Sequence, residues 1–600
     1  MAEPRANRVF DGVRTLESGI DSSRSPYLIN PQCSAFAVNV TFRGDHPRTR
    51  PAWMRRAILN IPPGYFQGAS FYRADNGINQ IVLSVGGRQY SITPDQKWFL
   101  RDLTIDPNSA ILKHAYFVQA ENYLVMNDGQ APPWIYDGTS ARRAGAGEIT
   151  TGTVAAYANG RIWYAVAKGT AYRAGDLVRS SSGSQTYAYR DAVIKLTENN
   201  LLNGGGDFSI PNSSGTIRAM GIPATLDTSL GQGPLQVFAD NGSFSVNAPV
   251  DRTQWQDTID PIQTVSGLGG GAVGHRAMAL VNGDIFYRSD DGIRSFFTAM
   301  RSYSDSWANT PISDELKRVM DSDNVYQLDS ESCVLFNNRF FCTVWGQNST
   351  SGVYHLGVVS MDFDPVSSLR DKQLPRWEGV WTGLNILQLV VGKFGGISRL
   401  FAIVLSKSGS VYGYNAYGGY TYGGFELWEL DENQLLDNAQ VPISCAYESP
   451  GLFRDGLVNL KSIETARMFA SNISGTVQFS VSYRPDYYAL WVPWHSWSVC
   501  ASGDQCQEGE CLTGEAAQLQ YRPRMALPTP AVSCNGSTTL PMNLFYQMQY
   551  LIEWVGPCTL NQFRIDVKQE LDPPYGDCPT EEPCRTLTGC SLLPSIQYQI

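Results

Sequence analysis

Gly269-Gly270-Gly271-Ala272-Val273-Gly274-His275-Arg276 leads into an apolar run from Ala277 to Val281. The turn Asn282-Gly283-Asp284 follows, and then Ile285-Phe286-Tyr287-Arg288-Ser289-Asp290-Asp291-Gly292-Ile293-Arg294-Ser295-Phe296. Asn-Gly and Asp-Gly supply the positive φ angles that hairpins require, so the stretch reads as three short strands joined by two tight turns. We read it as one blade of a β-propeller.

The second strand of this blade recurs. Gly160-Arg161-Ile162-Trp163-Tyr164, Gly283-Asp284-Ile285-Phe286-Tyr287, Asn338-Arg339-Phe340-Phe341 and Ser398-Arg399-Leu400-Phe401 share a turn residue, a charge, an apolar residue and an aromatic. Asn122-Tyr123-Leu124-Val125-Met126 is a weaker relative. Repetition of one supersecondary unit is the mark of a propeller; a sandwich or a plain multi-sheet arrangement is the alternative.

Six hundred residues exceed one compact core, so several domains are expected. The 56 glycines, 33 prolines and only 17% charged residues suit a turn-rich, mainly β protein. A formal net charge of -10 leaves no global basic face for sequence-independent nucleic-acid binding. The opening Met1 to Arg8 lacks the apolar core of a signal peptide, and no apolar run approaches the ~20 residues of a membrane span. Synthesis in a cytoplasm without membrane insertion is expected.

Three divisions follow. Residues 1–60 read as an extended N-terminal arm rich in proline and in arginines: Arg43, Arg48, Arg50, Arg55 and Arg56. With few core-building residues beyond Phe36 and Phe42, its order is expected to depend on a neighbour's acidic groove. Residues 61–440 read as the propeller, with a Ser/Gly-punctuated insertion at about 168–215. A helix is expected near Ser313 to Met320, capped by Ser313, with Leu316, Val319 and Met320 on one face. Residues 441–600 read as a β-sandwich-like, cysteine-rich module. Val477 to Tyr483 alternates as a half-buried strand, and Trp491, Trp494 and Trp497 suggest a packed aromatic wall or an interface.

Cys33, Cys333, Cys342 and Cys445 are scattered and look like buried thiols. Cys500, Cys506, Cys511, Cys534, Cys558, Cys578, Cys584 and Cys590 crowd the final hundred residues. None forms the C-x2-C of a zinc ribbon, so disulfides are the better expectation than a metal site if the mature protein ends outside a reducing cell, and no pairing is assigned.

A search for chemistry yields little. Gly269, Gly271 and Gly274 satisfy G-x-G-x-x-G, but strand rather than helix follows, and a dinucleotide pyrophosphate needs the helix N-terminus. Ser289 to Phe296 is similar to the Asp-box of sialidase propellers, with Asp and Gly adjacent and phenylalanine in place of tryptophan. The five histidines, His46, His114, His275, His355 and His495, form no close pair, and neither a nucleophile elbow nor a Walker A motif occurs. No catalytic, cofactor-binding or metal residue is assigned, no cofactor is expected, and the chain is read as a non-enzyme.

Gly19-Ile20-Asp21-Ser22-Ser23-Arg24-Ser25-Pro26, Ala37-Val38-Asn39-Val40 and Arg48-Thr49-Arg50-Pro51 resemble the N-terminal arm of podovirus tail-nozzle proteins, also called tail tubular protein B or tail stabilisation proteins. Asp284 to Ser295 resembles the propeller strand of the same family. The likeness covers roughly half of the chain, and the cysteine-rich C-terminus departs from it. It implies a structural virion protein: a homo-hexameric ring below portal and adaptor, forming the distal DNA conduit of a short tail. Implied partners are the tail adaptor protein, tail fibres, and genomic DNA passing through the lumen without sequence recognition. An acidic lumen would repel DNA and let it slide. The competing readings are a receptor-binding or fibre-attachment tail protein and a glycan-degrading propeller enzyme.

Overall fold

The computed structural model describes residues 19–569 except 57–61, 63, 76, 94–97, 146–148, 150, 159–160, 167–170, 180–186, 191–206, 224–232, 247–261, 265–269, 298–310, 365–374, 407–423, 453–460, 486–489, 502–509, 513–523 and 526–543. The chain is built of strands and divides into two compact units. One comprises Met1–Ala52, Asp362–Trp381 and Glu432–Ile600; the other comprises Trp53–Met361 and Thr382–Asp431. The contiguous divisions expected near residues 60 and 440 do not hold, because each unit is assembled from separated stretches of the chain.

The second unit is a β-propeller. Among the described residues it holds seven successive antiparallel meanders. The second strands of the blades are Asn79–Val85, Tyr123–Asn127, Arg161–Val166, Leu235–Ala239, Asp284–Ser289, Arg339–Ser349 and Ile397–Leu405. All five recurrent motifs of the sequence fall on these strands.

Their composition has a physical cause. A sheet covered on one face alternates apolar and polar residues, whereas one covered on both faces needs consecutive apolar residues. In the first blade Val82 packs towards the second blade with Leu124 and Trp134, while Ile81 and Leu83 pack towards the seventh with Phe401 and Ile403. In the third, Ile162 and Tyr164 join Val125 of the second blade, while Trp163 and Ala165 join Val237 of the fourth. Phe238 turns the other way, onto Tyr287 of the fifth blade. Phe286 of the fifth meets Phe340 of the sixth with ring centroids 5.3 Å apart. Blade packs on blade in chain order until the seventh returns to the first, which closes the ring. The strand Ala52–Arg56 pairs with Phe425–Asp431 of the seventh blade.

The expected insertion contributes to a blade. Ala171–Arg179 is the third strand of the third blade, pairing with Arg161–Val166, and Tyr187–Arg190 and Asp207–Ser209 pair with it in turn. Its run of Tyr172, Arg173, Asp176 and Arg179 lacks the consecutive apolar residues of the second strands. The remainder of 168–215 up to Gly206 lies largely outside the described residues. The expected helix is a 3-10 turn, Asp314–Leu316, running into a short α-helix, Lys317–Met320, and Leu316, Val319 and Met320 are buried as expected. Ser313 makes no side-chain cap; its Oγ accepts the Ile293 N–H at 2.8 Å instead.

The first unit contains two packed sheets. Phe36–Val38 pairs with Ser444–Glu448, which continues through Met548–Val555 and Thr476–Pro485 to Val492–Ala501. The other sheet joins Val40–Thr41, Arg48–Thr49, Thr559–Gln569 and Lys461–Ser471. Val477, Phe479, Val481 and Tyr483 are buried, as their alternation predicts. Phe563 lies against Trp494 and Tyr550 across the two sheets. Of the tryptophans, Trp494 is core, Trp497 stacks on Phe479, and Trp491 carries the Arg484 guanidinium over its ring. Each thus packs on a different side chain of the same unit.

The N-terminal stretch is extended, yet it belongs to this sandwich. Ile20, Ala37, Val40 and Phe42 are fully buried. Carboxylates within the chain meet the arginines: Arg43 pairs with Asp362 at 2.7 Å, Arg50 with Asp437 at 2.8 Å, Arg55 with Glu426 at 3.1 Å and Arg56 with Glu429 at 2.7 Å. The acidic partner expected on a neighbour is thus supplied in cis, from residues 300 or more positions away that the sequence could not bring near. Cys500 and Cys558 are buried free thiols; the side chains of the other six C-terminal cysteines lie outside the described residues.

Candidate functional site

The propeller hub holds the densest group of perturbed ionisable side chains. Lys113 and His114 precede the first strand of the second blade, Tyr116–Ala120. His275 and Arg276 precede that of the fifth, Met278–Val281. Asp329 lies in the 3-10 turn before the sixth, and Gln388 sits within the first strand of the seventh. Blades two and five are not neighbours in the ring, yet Arg276 Nη2 lies 3.0 Å from His114 Nδ1. Contact between non-adjacent blades is possible only at the axis.

The hydrogen bonds define a single protonation pattern. His114 Nε2 lies 3.1 Å from Asp329 Oδ2, and its Nδ1 faces the Arg276 guanidinium, which can only donate. The ring is therefore a neutral tautomer donating from Nε2. Burial pushes the His114 pKa down to about 4 despite the opposing pull of Asp329. Burial, then the charge of Arg276, holds His275 well below the ordinary histidine range. His275 packs its ring 4.4 Å from Tyr116 and 5.5 Å from His114.

Arg276 donates to Gln388 Oε1 at 3.1 Å, and Gln388 is clamped to the backbone of Ala69 in the first blade through bonds of 2.9 and 2.8 Å. Burial lowers the Arg276 pKa to about 10, with Asp329 opposing. Burial would raise Asp329, but the His114 hydrogen bond and Lys113, 2.5 Å away, hold it well below the usual carboxylate range. Five blades are thus tied by one polar network. Both ring nitrogens of His114 are engaged, one by a carboxylate and one by a guanidinium, which leaves it neither a free base nor a ligand.

The glycine motif serves packing. Gly269 lies outside the described residues. A Cβ on Gly271 would stand 1.5 Å from the Ala239 carbonyl oxygen, and one on Gly274 would stand 2.4 Å from that of Asp329. Strand Met278–Val281 follows rather than a helix, so no pyrophosphate cradle exists there. The Asp-box-like stretch is a structural hairpin. Ser289 Oγ reaches Asp291 Oδ1 at 2.7 Å, and Arg294 holds Asp291 Oδ2 at 2.5 Å and Ser289 Oγ at 3.0 Å. Behind it, fully buried Arg288 bridges Glu331 at 3.2 Å and Asp323 at 3.3 Å. Burial pushes Glu331 well above its ordinary range, with the Arg288 charge opposing.

Among the described residues no cluster of His, Cys, Asp and Glu has the arrangement to hold a metal ion, and no helix is long and apolar enough to cross a membrane. Sequence reasoning listed His114 and His275 without pairing them; Arg276, Asp329 and Gln388 it missed. Each sits at the entry to, or within, a first strand, and that position is the one signal that could have found them.

The fold defines a β-propeller core with a β-sandwich. No family model matches the chain, and no curated protein does. Solved structures similar to it include YCF48 bound to a D1 peptide, at 11% identity and TM-score 0.32, covering 64% of this chain and 97% of that one. The Myceliophteria thermophila Cps50 (Swd1) β-propeller domain matches at 10% identity and TM-score 0.34, over 62% of this chain and 99% of that one. BamB from Moraxella catarrhalis matches at 11% identity and TM-score 0.30, over 66% and 95%. Similarity at this level carries no functional argument, and the propeller stands on its own seven blades.

Proposed function

We propose that this chain is a structural virion protein of a short-tailed bacteriophage, forming the tail nozzle through which DNA is ejected. The supporting observation is the place of the family-like residues. Each of the three N-terminal stretches knits the sandwich together. Gly19 takes φ +73 with no room for a Cβ beside the Trp377 carbonyl, and Ile20 N–H bonds that same carbonyl at 3.0 Å. Asn39, at φ 55, donates to the carbonyls of Val380 and Ser444 and accepts from Arg50 Nε at 3.0 Å. Thr49 Oγ1 accepts the Trp554 indole N–H at 3.0 Å. A likeness that includes such positions is what a shared framework would produce.

The filled hub bears on the same reading. A propeller whose axis is closed by Arg276, His114 and Asp329 offers DNA no passage, so a conduit would have to form among copies of the chain, as a homo-hexameric ring does. The net charge of -10 suits a lumen that does not hold DNA. The adaptor and fibres would be its partners, and the mature tail its location.

Negative-stain images of the purified chain, with mass spectrometry of purified virions, test this. Rings with a central hole and the peptides of this chain in the particle are expected. Absence from virions, or release of reducing sugar from host envelope material, would replace the proposal with one of its rivals.

A further inference from the structure

Cys333 and Cys342 stand directly opposite each other in the hairpin formed by Cys333–Phe336 and Arg339–Ser349. Its two-residue turn, Asn337-Asn338, takes φ values of 46 and 57, the left-handed pair that matches strand twist. Counting from this turn, hydrogen-bonded and non-hydrogen-bonded pairs alternate, which makes Cys333–Cys342 a non-hydrogen-bonded pair, where side chains come closest. Two bonds agree: Cys333 N–H turns away to the Arg276 carbonyl at 2.8 Å, and Thr343 N–H bonds the Ser332 carbonyl at 3.1 Å. The two sulfurs are 3.2 Å apart and buried. Little more than 1 Å separates that from a disulfide bond.

We propose that Cys333 and Cys342 are a redox pair that closes to a cross-strand disulfide inside the sixth blade when the protein folds in the presence of a low-molecular-weight disulfide. One cysteine thiolate attacks a sulfur of the small disulfide, forming a mixed disulfide and releasing one small thiolate. The second cysteine then attacks the protein sulfur of that mixed bond and releases the second. Two electrons pass from the protein to the small disulfide, and the two cysteine protons end on the two small thiols.

Access sets the timing. Burial holds the Cys342 thiol well above its ordinary pKa, with Glu331 Oε2 3.8 Å from its sulfur, so little thiolate exists in the folded blade. Closure therefore belongs to folding or to opening of the hairpin. Once made, the bond would pin the strand whose first N–H holds Arg276, and with it the hub.

The test refolds the reduced full-length chain with oxidised glutathione, alkylates in denaturant and digests with trypsin. Arg339 lies between the two cysteines, so only a disulfide can keep their peptides together. A Cys333–Cys342 linked species is expected, lost on reduction, together with a rise of a few degrees in the thermal midpoint over the reduced protein. In Cys333→Ala the linked species should vanish, leaving Cys342 either alkylated or trapped as the mixed disulfide with glutathione. If wild-type Cys333 and Cys342 are alkylated to the same extent with and without glutathione, or link only to other cysteines, the proposal is overturned. The wild-type arm decides this even if the variant does not fold.

Discussion

His114 holds one proton between a carboxylate and a guanidinium that belong to different blades, and this gives the molecule a pH dependence. Its folded pKa, about 4, lies below the unfolded value of 6.5. The unfolded chain therefore binds more protons between those values, and stability present above pH 6.5 is lost as pH falls towards 4. The expected loss is up to roughly 3 kcal/mol. His275 and His355 are lowered for the same reason, burial first, and add to the loss. Asp329, also held low, acts in the same direction at lower pH still. Urea midpoints should fall steeply between pH 7 and 4.5, and His114→Gln, which keeps a donor and an acceptor, should flatten the curve. Gly271 makes the opposite kind of demand, for absence of atoms. Gly271→Ala should cost more than 3 kcal/mol, since the new Cβ meets backbone rather than a movable side chain; calorimetry of the variant checks it.

At the scale of elements, the propeller was legible wherever a strand is buried on both faces. Gly283 to Tyr287 and Ser398 to Phe401 announce themselves by consecutive apolar residues after a turn, because each residue fills a different inter-blade layer. Phe401 lies between Trp98 and Phe394, at 5.7 and 5.4 Å. Phe401→Ala should therefore destabilise the propeller by about 3–5 kcal/mol, whereas substitution of exposed Ile397 on the same strand should be nearly neutral. Denaturant melts of both variants make the comparison. The strand Ala171–Arg179 was illegible because its sequence carries no run of consecutive apolar residues. The hub was illegible for another reason. Arg276 and His114 lie 162 residues apart, and nothing local in either one marks a contact created by ring closure. Ser313 shows a third way to miss: a good capping residue was diverted to a tertiary partner, Ile293.

At the scale of the molecule, the N-terminal stretch is the decisive element, and the structure changes what its removal should do. An arm held only by a neighbour could be cut away without harm to the rest. Residues 19–50, however, bury Ile20, Ala37, Val40 and Phe42 and place Asn39 and Arg50 in a closed hydrogen-bond network with Asp437. Removing Arg50 alone leaves Asp437 without its bidentate partner and Asn39 without its donor, a loss of about 3 kcal/mol for a pair this buried. Removing residues 1–56 strips whole strands from both sheets of the sandwich and takes Trp53, 2% exposed, together with the strand that pairs with Phe425–Asp431. The truncated chain should therefore lose the sandwich cooperatively and expose the seventh blade's outer edge, giving insoluble or protease-sensitive protein. Limited proteolysis and a thermal melt of the truncation against the full chain separate the two accounts. A soluble truncation that melts as sharply as the full chain would restore the detachable arm, and failure to assemble would then report docking alone. A truncation that cannot hold the sandwich together makes the same assembly defect a consequence of folding.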